Sequence, residues 1–165
     1  MTQRFEINRC SARDLPELRT LLAANDLPVE DIDEALVAGL LVARADGDIV
    51  GAVGLQRAGP SGLLRSLVVT DEWRGRRLAA ALVVALESTA RECEVARLYL
   101  LTTTAEDYFR RRGYVSANRS DVPAAITAFR EFRELCPASA VCLTKALMSG
   151  PAVASTGEPD DRADV

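Results

Sequence analysis

The segment LVVTDEWRGRRLAAALVVAL, residues 67–86, combines three patterns that usually form three different structures. Its first three residues are all apolar, and residues 63–70 show no regular alternation of polar and apolar side chains, which is typical of a strand buried on both faces. A short polar stretch with one glycine among arginines follows, and leucines then recur every four residues, as on one face of a helix. The sequence therefore predicts a buried strand, a tight turn and a helix. The turn contains Arg74, Gly75, Arg76 and Arg77, and the leucines are Leu78, Leu82 and Leu86.

The start of this predicted helix is suited to an anionic ligand. The first N–H groups of a helix have no backbone partner, and the helix dipole places partial positive charge there. The small residues Gly75 and Ala79 allow close approach to the backbone, and the arginines add full positive charges. A solvated basic turn without a ligand explains the same residues, so both interpretations stay open at this point. The pattern is neither a Walker loop nor a dinucleotide fingerprint, since the lysine of the first and the further glycines of the second are absent.

Length and composition indicate one domain followed by a tail. The chain has 165 residues, of which 48% are hydrophobic, and this is enough for a single core. We assign residues 1–148 to the domain and residues 149–165, rich in Gly, Pro, Ser, Asp and Ala, to a disordered tail. No apolar run is long enough to cross a membrane and no secretory signal is recognisable, so we expect a cytoplasmic location without a membrane partner.

The charge and the missing histidines exclude several classes of function. The formal net charge of −4 gives no support for a nucleic-acid partner. Because the chain has no histidine, Ser-His and Cys-His nucleophile pairs and His-ligated metal sites are excluded, and we expect no metal. The four cysteines form no CxxC pair, and in a cytosolic chain we expect them to be reduced thiols.

The remaining patterns predict an α/β fold with a mixed sheet. Short alternating or apolar runs indicate about seven strands, and Asp46 with Gly47 predicts a hairpin between two of them. Ser11 is the expected N-cap of the first helix, and Gly113 is the expected end of the helix that starts at Ala105. We expect a mostly antiparallel central sheet flanked by helices, with a crossover after the most buried strand. The predicted strands are 4–9, 40–45, 49–55, 63–70, 97–103, 114–118 and 139–147, and the predicted helices are 11–25, 28–38, one that ends near 91, 105–112 and 121–135.

Residues 74–79 resemble the coenzyme-binding motif of the GNAT superfamily of N-acetyltransferases. That motif is Arg or Gln, two residues, Gly, one residue, then Gly or Ala. Arg74 and Ala79 match its ends, and Arg77 occupies the place of its central Gly. Residues 102–114 resemble the next strand and helix of the family, in a form closer to the N-acetylglutamate synthase type, with Phe109 where a Tyr is common. Residues 121–126 and 135–142 resemble the arsenic-resistance branch of these enzymes.

The resemblance implies a sheet that is splayed between its two central strands and an enzyme that uses acetyl-CoA as co-substrate. The expected activity is N-acetyltransfer to the amine of a small molecule, an amino acid or an amino-acid-like compound that includes arsenic-containing ones, by direct attack in a ternary complex. An acyl-CoA-binding regulatory module without catalysis and a protein N-acetyltransferase are the alternatives, and a homodimer is left open. The coenzyme-binding residues that the resemblance implies are Leu67, Val68, Val69, Arg74, Gly75, Arg76, Arg77, Leu78, Ala79, Thr102 and Phe109.

The resemblance assigns fewer residues to catalysis. The backbone N–H of Val68 or Val69 is the expected partner of the thioester carbonyl, in the manner of an oxyanion hole. Tyr108 is the hydroxyl nearest to the usual general acid, and a packing role is its alternative. Leu63 stands where many relatives have a glutamate base, so the base is unassigned. A substrate carboxylate and a salt bridge to Asp or Glu explain a buried Arg65 about equally well, and a solvated helix face is the alternative for Arg130. The candidate acceptor-binding residues are Arg65, Ser66 and Arg130.

Overall fold

The computed structural model describes residues 4–148, and these residues form a seven-stranded mixed sheet with helices on both faces. The tail predicted for residues 149–165 lies outside the described residues. The strands are β1 (Glu6–Arg9), β2 (Leu40–Ala45), β3 (Asp48–Ala58), β4 (Ser61–Val69), β5 (Arg97–Thr102), β6 (Val115–Ser116) and β7 (Val141–Ala146). The α-helices are α1 (Leu15–Ala24), α2 (Glu34–Val37), α3 (Leu78–Glu92), α4 (Glu106–Arg110) and α5 (Ala124–Thr127).

The strands follow the order β1-β2-β3-β4-β5-β7-β6, and α3 forms the crossover from β4 to β5. Within the described residues every neighbouring pair is antiparallel except β4 and β5. These two strands pair only at their beginnings, from Ser61 opposite Arg97 to Leu63 opposite Tyr99. Beyond that point both strands continue without pairing to each other, so the sheet opens like a V. The predicted mixed, mostly antiparallel sheet and its splay at the central strands are confirmed.

A bulge interrupts β4 in the part that β5 no longer covers. Ala52 pairs with Val68 and Gly54 with Arg65, so β4 has one residue more than β3 across this step. Ser66 lies inside the bulge and has a φ of 58°, which is uncommon for a residue other than glycine. Because a bulge bends its strand and redirects backbone groups, β4 changes direction beside the open V.

The sheet separates two apolar cores. The predicted leucine face of α3 is confirmed, since Leu78, Leu82 and Leu86 are all buried against one face of the sheet. On the opposite face, Leu18 and Leu22 of α1 pack into a second core that includes Val68 of β4. A smaller cluster on this second side joins Leu63 to Ile126 and Phe132. The central strand β4 is therefore covered on both faces, as its apolar sequence predicted.

Two predicted helices are much shorter or broken in the structure. The helix predicted for residues 28–38 contains only Glu34–Val37, because the Asp33 side chain caps the helix by accepting from the N–H of Leu36. The residues before this helix make other contacts; for example, the carbonyl of Ile32 accepts a hydrogen bond from the Arg19 side chain. The helix predicted for residues 121–135 divides into α5 and a π-helical turn, Glu131–Leu135, which turns both Glu131 and Phe132 inward.

Candidate active site

The turn before α3 has the geometry that an anion site needs. A 3₁₀ turn, Asp71–Trp73, follows β4, and the chain then enters α3 through two residues in the left-handed region, Gly75 at φ 75° and Arg77 at φ 64°. A Cβ at Gly75 would meet no atom within 4 Å, so the turn needs the backbone freedom of glycine and not its small size. Arg77 adopts the same region at a cost of about 1 kcal/mol. This conformation explains why the superfamily motif has glycine at the position of Arg77.

A cavity of about 260 Å³ opens at this helix start. It lies between the end of β4, the turn, the first turn of α3 and α4. Arg74, at its rim, donates to Asn25 at 2.8 Å and forms an ion pair with Asp71 at 3.1 Å, while its side chain stays 59% exposed. The cavity brings together seven of the predicted site residues: Val69, Arg74, Gly75, Arg77, Leu78, Ala79 and Tyr108.

Two buried polar atoms of the cavity wall have no hydrogen-bond partner among the described residues. They are the hydroxyl of Tyr108 and the Nε of Arg112, and the Arg112 guanidinium stacks over the Tyr108 ring at 4.4 Å from its centroid. Buried polar groups in native proteins are nearly always hydrogen-bonded. A phenol and a guanidinium without partners beside a basic helix start therefore suit a ligand with anionic groups. Arg112 was not among the predicted residues, although its spacing of four from Tyr108 places both on one side of a helix.

The structure places Phe109 in the core instead of the cavity wall. Its ring lies 5.3 Å from the rings of both Tyr108 and Tyr114, and the side chain is 4% exposed. Neighbouring helical residues point about 100° apart, so when α4 packs Phe109 inward it directs Tyr108 toward the cavity. The tyrosine that faces this cavity therefore lies one position earlier than the resemblance implied.

The other predicted coenzyme residues lie around the cavity without lining it. The hydroxyl of Thr102 accepts a hydrogen bond from the N–H of Ala105 at 2.9 Å and so fixes the start of α4. The Arg76 guanidinium lies over the Trp73 ring at 5.2 Å. Leu67 packs against the core beneath α3, whereas Val68 belongs to the core on the opposite face. Their assignment to the coenzyme stays a prediction.

The candidate acceptor residues lie near each other on the face of the sheet opposite α3. The Arg65 side chain is 0% exposed, and its guanidinium forms a two-pronged ion pair with Asp31, one contact measuring 2.6 Å. It also donates to Gln56 and to the hydroxyl of Ser66, each at 3.2 Å, and lies 3.5 Å from a carboxylate oxygen of Glu131. Of the two interpretations of Arg65, the internal ion pair is the one that the structure contains.

Glu131 is a buried carboxylate that shares this guanidinium. Burial raises its pKa to about 7; the positive charge of Arg65 lowers it, and the negative charge of Asp31 raises it. The neighbouring Arg130 is half-exposed and forms a long ion pair with Glu134 at 3.8 Å. The sequence offered no signal for Asp31 or Glu131, because both depend on a loop and a π-helical turn that periodicity did not predict.

A second, open cavity of about 740 Å³ lies beside this ionic cluster. Asp31 and Gln56, which both bind Arg65, form part of its wall. Arg130 lines it as well, together with Arg9 and Arg57. The charged side chains of the wall are therefore Asp31, Asp33 and the three arginines, and a small zwitterionic molecule matches this pattern of charges.

Cys136 and Cys142 are reduced thiols with little tendency to ionise. Cys142 is buried beside Leu63, and Cys136 follows the π-helical turn. Burial raises the pKa of Cys136 to about 11 and also raises the pKa of Cys142. Within residues 4–148, no group of three or more His, Cys, Asp or Glu side chains is placed to hold a metal ion. None of the helices in that part of the chain is long and apolar enough to cross a membrane.

A known family matches the central part of the chain. Residues 37–116 match the family described as "Acetyltransferase (GNAT) domain", a stretch that includes the V-shaped opening, the basic turn, α3 and α4. Residues 37–116 therefore match a GNAT acetyltransferase domain, in agreement with the resemblance.

Individual relatives extend this comparison. An amino-acid acetyltransferase of Ralstonia nicotianae is 32% identical over 89 residues, which is 53% of this chain but 20% of the relative. The N-acetylglutamate synthase of Neisseria gonorrhoeae, solved with coenzyme A and N-acetyl-glutamate, superposes with a TM-score of 0.78 at 18% identity over 90% of this chain and 36% of that chain. A Staphylococcus aureus acetyltransferase of the GNAT family gives 0.73 at 17% identity, over 88% of this chain and 100% of that chain. The chain thus spans about a fifth of the curated relative and about a third of the Neisseria synthase, and none of these matches points to the arsenic-resistance branch in particular.

Proposed function

We propose that this protein transfers the acetyl group of acetyl-CoA to the amine of a small molecule, an amino acid or a similar compound. The observation that carries the proposal is the cavity at the start of α3, where arginines and two unpartnered buried polar atoms converge on one anion-binding space. Coenzyme A bound to related structures supports the choice of ligand, and the amino-acid acetyltransferase relative supports the class of acceptor.

The residues of the cavity divide into those that bind and those that act on the reacting atoms. Arg74, Arg77 and Arg112 hold the phosphate groups, together with the N–H groups at the start of α3. The backbone N–H of Val69, just beyond the bulge of β4, polarises the thioester carbonyl. The hydroxyl of Tyr108 donates a proton to the departing sulfur.

Bound acetyl-CoA supplies the acetyl group as an activated thioester, and the chain needs no nucleophile of its own. Direct attack by the amine suits a sequence without histidine. The acceptor enters through the second cavity, which Asp31 and Arg130 line. Its charge pattern favours an acceptor that carries both an ammonium and a carboxylate group.

The test is release of coenzyme A from acetyl-CoA by the purified protein in the presence of single acceptors. The panel contains the proteinogenic amino acids, simple amines, a lysine-containing peptide and an arsenic-containing amino acid. We expect thiol release with one or a few amino acids and none with the peptide.

Other outcomes of this panel separate the alternatives. Turnover of the arsenic-containing compound alone would place the protein in the arsenic-resistance branch. Turnover of the peptide alone would favour a protein N-acetyltransferase. Tight coenzyme binding without turnover on any acceptor would favour a regulatory module. This alternative is considered because Leu63 occupies the position of the usual base.

A further inference from the structure

Lys145 of β7 is the only lysine in a chain that has nineteen arginines. Its ammonium group donates to both carboxylate oxygens of Glu87, at 3.2 and 3.1 Å, and to the backbone carbonyl of Arg112 at 2.9 Å. An ammonium group has three N–H donors, and these three acceptors match that number. A guanidinium spreads its donors over three nitrogens in one plane, so it could not serve three acceptors from a single nitrogen. The use of lysine at this position therefore has a geometric reason.

The carbonyl of Arg112 belongs to the turn that ends α4. The last carbonyls of a helix have no partner within the helix, and lysine side chains can satisfy them. The N–H groups of Arg112 and Tyr114 close this turn by donating to the carbonyl of Phe109, at 2.9 and 3.1 Å. The Lys145 side chain also runs beside Gly113, where a Cβ would lie 3.5 Å from its Cε. Lys145 thus holds the backbone that carries the Arg112 side chain.

Glu87 connects this ammonium group to α3, the helix whose start forms the other side of the coenzyme cavity. Glu87 is 6% exposed and also accepts a hydrogen bond from the Tyr114 hydroxyl at 2.9 Å. The ammonium nitrogen lies 5.4 Å from the centre of the Tyr114 ring. One network therefore links α3 to the end of α4. Both elements contribute to the cavity wall, α3 through Leu78 and the turn after α4 through Arg112.

We propose that Lys145 and Glu87 are positioning residues for the coenzyme, because they fix the backbone of Arg112 and so orient its guanidinium toward the phosphate groups. This inference rests on the function proposed above. The Nε of Arg112 is buried and has no hydrogen-bond partner among the described residues. Hydrogen bonds weaken steeply with distance and angle, so a shift of the turn would lower the affinity for the ligand. Neither Lys145 nor Glu87 lines the cavity, and both act through Arg112.

The test is calorimetric titration of the purified protein with coenzyme A and with pantetheine, which has no phosphate groups. Lys145→Met removes the ammonium group but keeps an unbranched chain beside Gly113. We expect affinity for coenzyme A to fall about tenfold, near the lower limit of the loss expected when the Arg112 guanidinium itself is removed. Affinity for pantetheine should stay within about twofold of wild type.

A double-mutant cycle shows whether Lys145 acts through Arg112. In the Arg112→Met background the guanidinium is absent, so adding Lys145→Met should change the affinity for coenzyme A by less than about twofold. A merely structural role for Lys145 would lower this affinity by the same factor in both backgrounds. The matched control is Arg97→Met, because the Arg97 guanidinium donates to Thr144, the residue before Lys145, at 3.1 Å. Affinity for both ligands should be unchanged in this control.

A second variant keeps the test valid if Lys145→Met does not fold. Lys145→Met leaves the buried Glu87 carboxylate without its cation, which is destabilising. The combined variant Lys145→Met/Glu87→Gln removes both charges and keeps an acceptor for the Tyr114 hydroxyl. The same results are expected for it with coenzyme A, with pantetheine and in the Arg112→Met background.

The outcomes distinguish this inference from the function on which it rests. If the wild-type protein binds no coenzyme A, the proposed function fails and this inference fails with it. If Arg112→Met weakens binding of coenzyme A but Lys145→Met does not, the positioning role is wrong while the proposed function stands. Unchanged affinity in Arg112→Met, equal losses for coenzyme A and pantetheine in Lys145→Met, or an equal loss in Arg97→Met would also overturn the positioning role.

Discussion

Arg112 offers the sharpest test of the coenzyme cavity, because its Nε is buried without a partner and faces no competing protein acceptor among the described residues. Arg112→Met removes the guanidinium but keeps an unbranched chain over the Tyr108 ring. A hydrogen bond from a charged donor is worth about 1.5 to 3 kcal/mol, so affinity for coenzyme A should fall roughly 10- to 150-fold. The lost stacking at 4.4 Å should cost only about 0.5 to 1 kcal/mol of folding stability.

Calorimetry with two ligands separates charge recognition from general damage. Coenzyme A carries phosphates and pantetheine does not, so Arg112→Met should weaken binding of the first and leave the second unchanged. Arg111→Met is the matched control, since Arg111 is the adjacent residue and is exposed. Equal loss of both ligands, or unchanged affinity for coenzyme A, would refute the assignment of Arg112.

Three further predictions concern single residues. Arg77→Gly and Arg77→Ala both remove one charge from the helix start, but alanine retains the strain of the left-handed backbone conformation. Urea unfolding should therefore show that the glycine variant is more stable than the alanine variant by about 1 kcal/mol. Equal stabilities of the two variants would contradict the argument from backbone strain. Glu87 accepts a hydrogen bond from the Tyr114 hydroxyl at 2.9 Å and forms an ion pair with Lys145 at 3.1 Å. Glu87→Gln should therefore lower the free energy of unfolding by about 2 to 3 kcal/mol. A loss below about 1 kcal/mol would show that the ion pair with Lys145 is dispensable. Tyr108→Phe removes a hydroxyl without a partner, so thermal unfolding should show no loss of stability while kcat falls about 100-fold; an unchanged kcat would leave Tyr108 with a packing role.

The main features of the fold could be predicted because they depend on local patterns. The apolar run of β4 and the leucines of α3 indicated a buried strand and a helix packed on it, and both are confirmed. Gly113 ends the α4 region with a φ of 94°, as a glycine at this position predicted. What local patterns could not give was the division of the helix predicted for residues 121–135, because the inward turn of Glu131 is stabilised by Arg65, a residue distant in sequence.

In the candidate site too, residues that are neighbours in the sequence could be predicted, whereas residues that meet only in the folded chain could not. The basic turn was recognisable because Arg74, Gly75 and Arg77 are neighbours in the chain, and the structure places all of them at one cavity. The roles of Tyr108 and Phe109 were harder to predict, because both are aromatic residues and only the packing of α4 decides which side chain lies in the core. The Asp31 and Glu131 carboxylates meet at Arg65 from segments that have no shared pattern, so no spacing rule could bring them together.

The opening between β4 and β5 has a thermodynamic consequence for the protein without its ligand. Strands β4 and β5 stop pairing after Leu63 and Tyr99, and beyond that point their facing edges carry backbone N–H and C=O groups that are not bonded across the opening. Such groups are stabilised when they form hydrogen bonds. A ligand with amide groups that binds between β4 and β5 would form hydrogen bonds to these strand edges, as a neighbouring strand does. Folding and ligand occupancy are then linked, and the melting temperature should keep rising with ligand concentration, because the stabilisation grows as the logarithm of 1 + [L]/Kd, where [L] is the free ligand concentration. A bound ligand of this kind would therefore raise the free energy of unfolding of the chain.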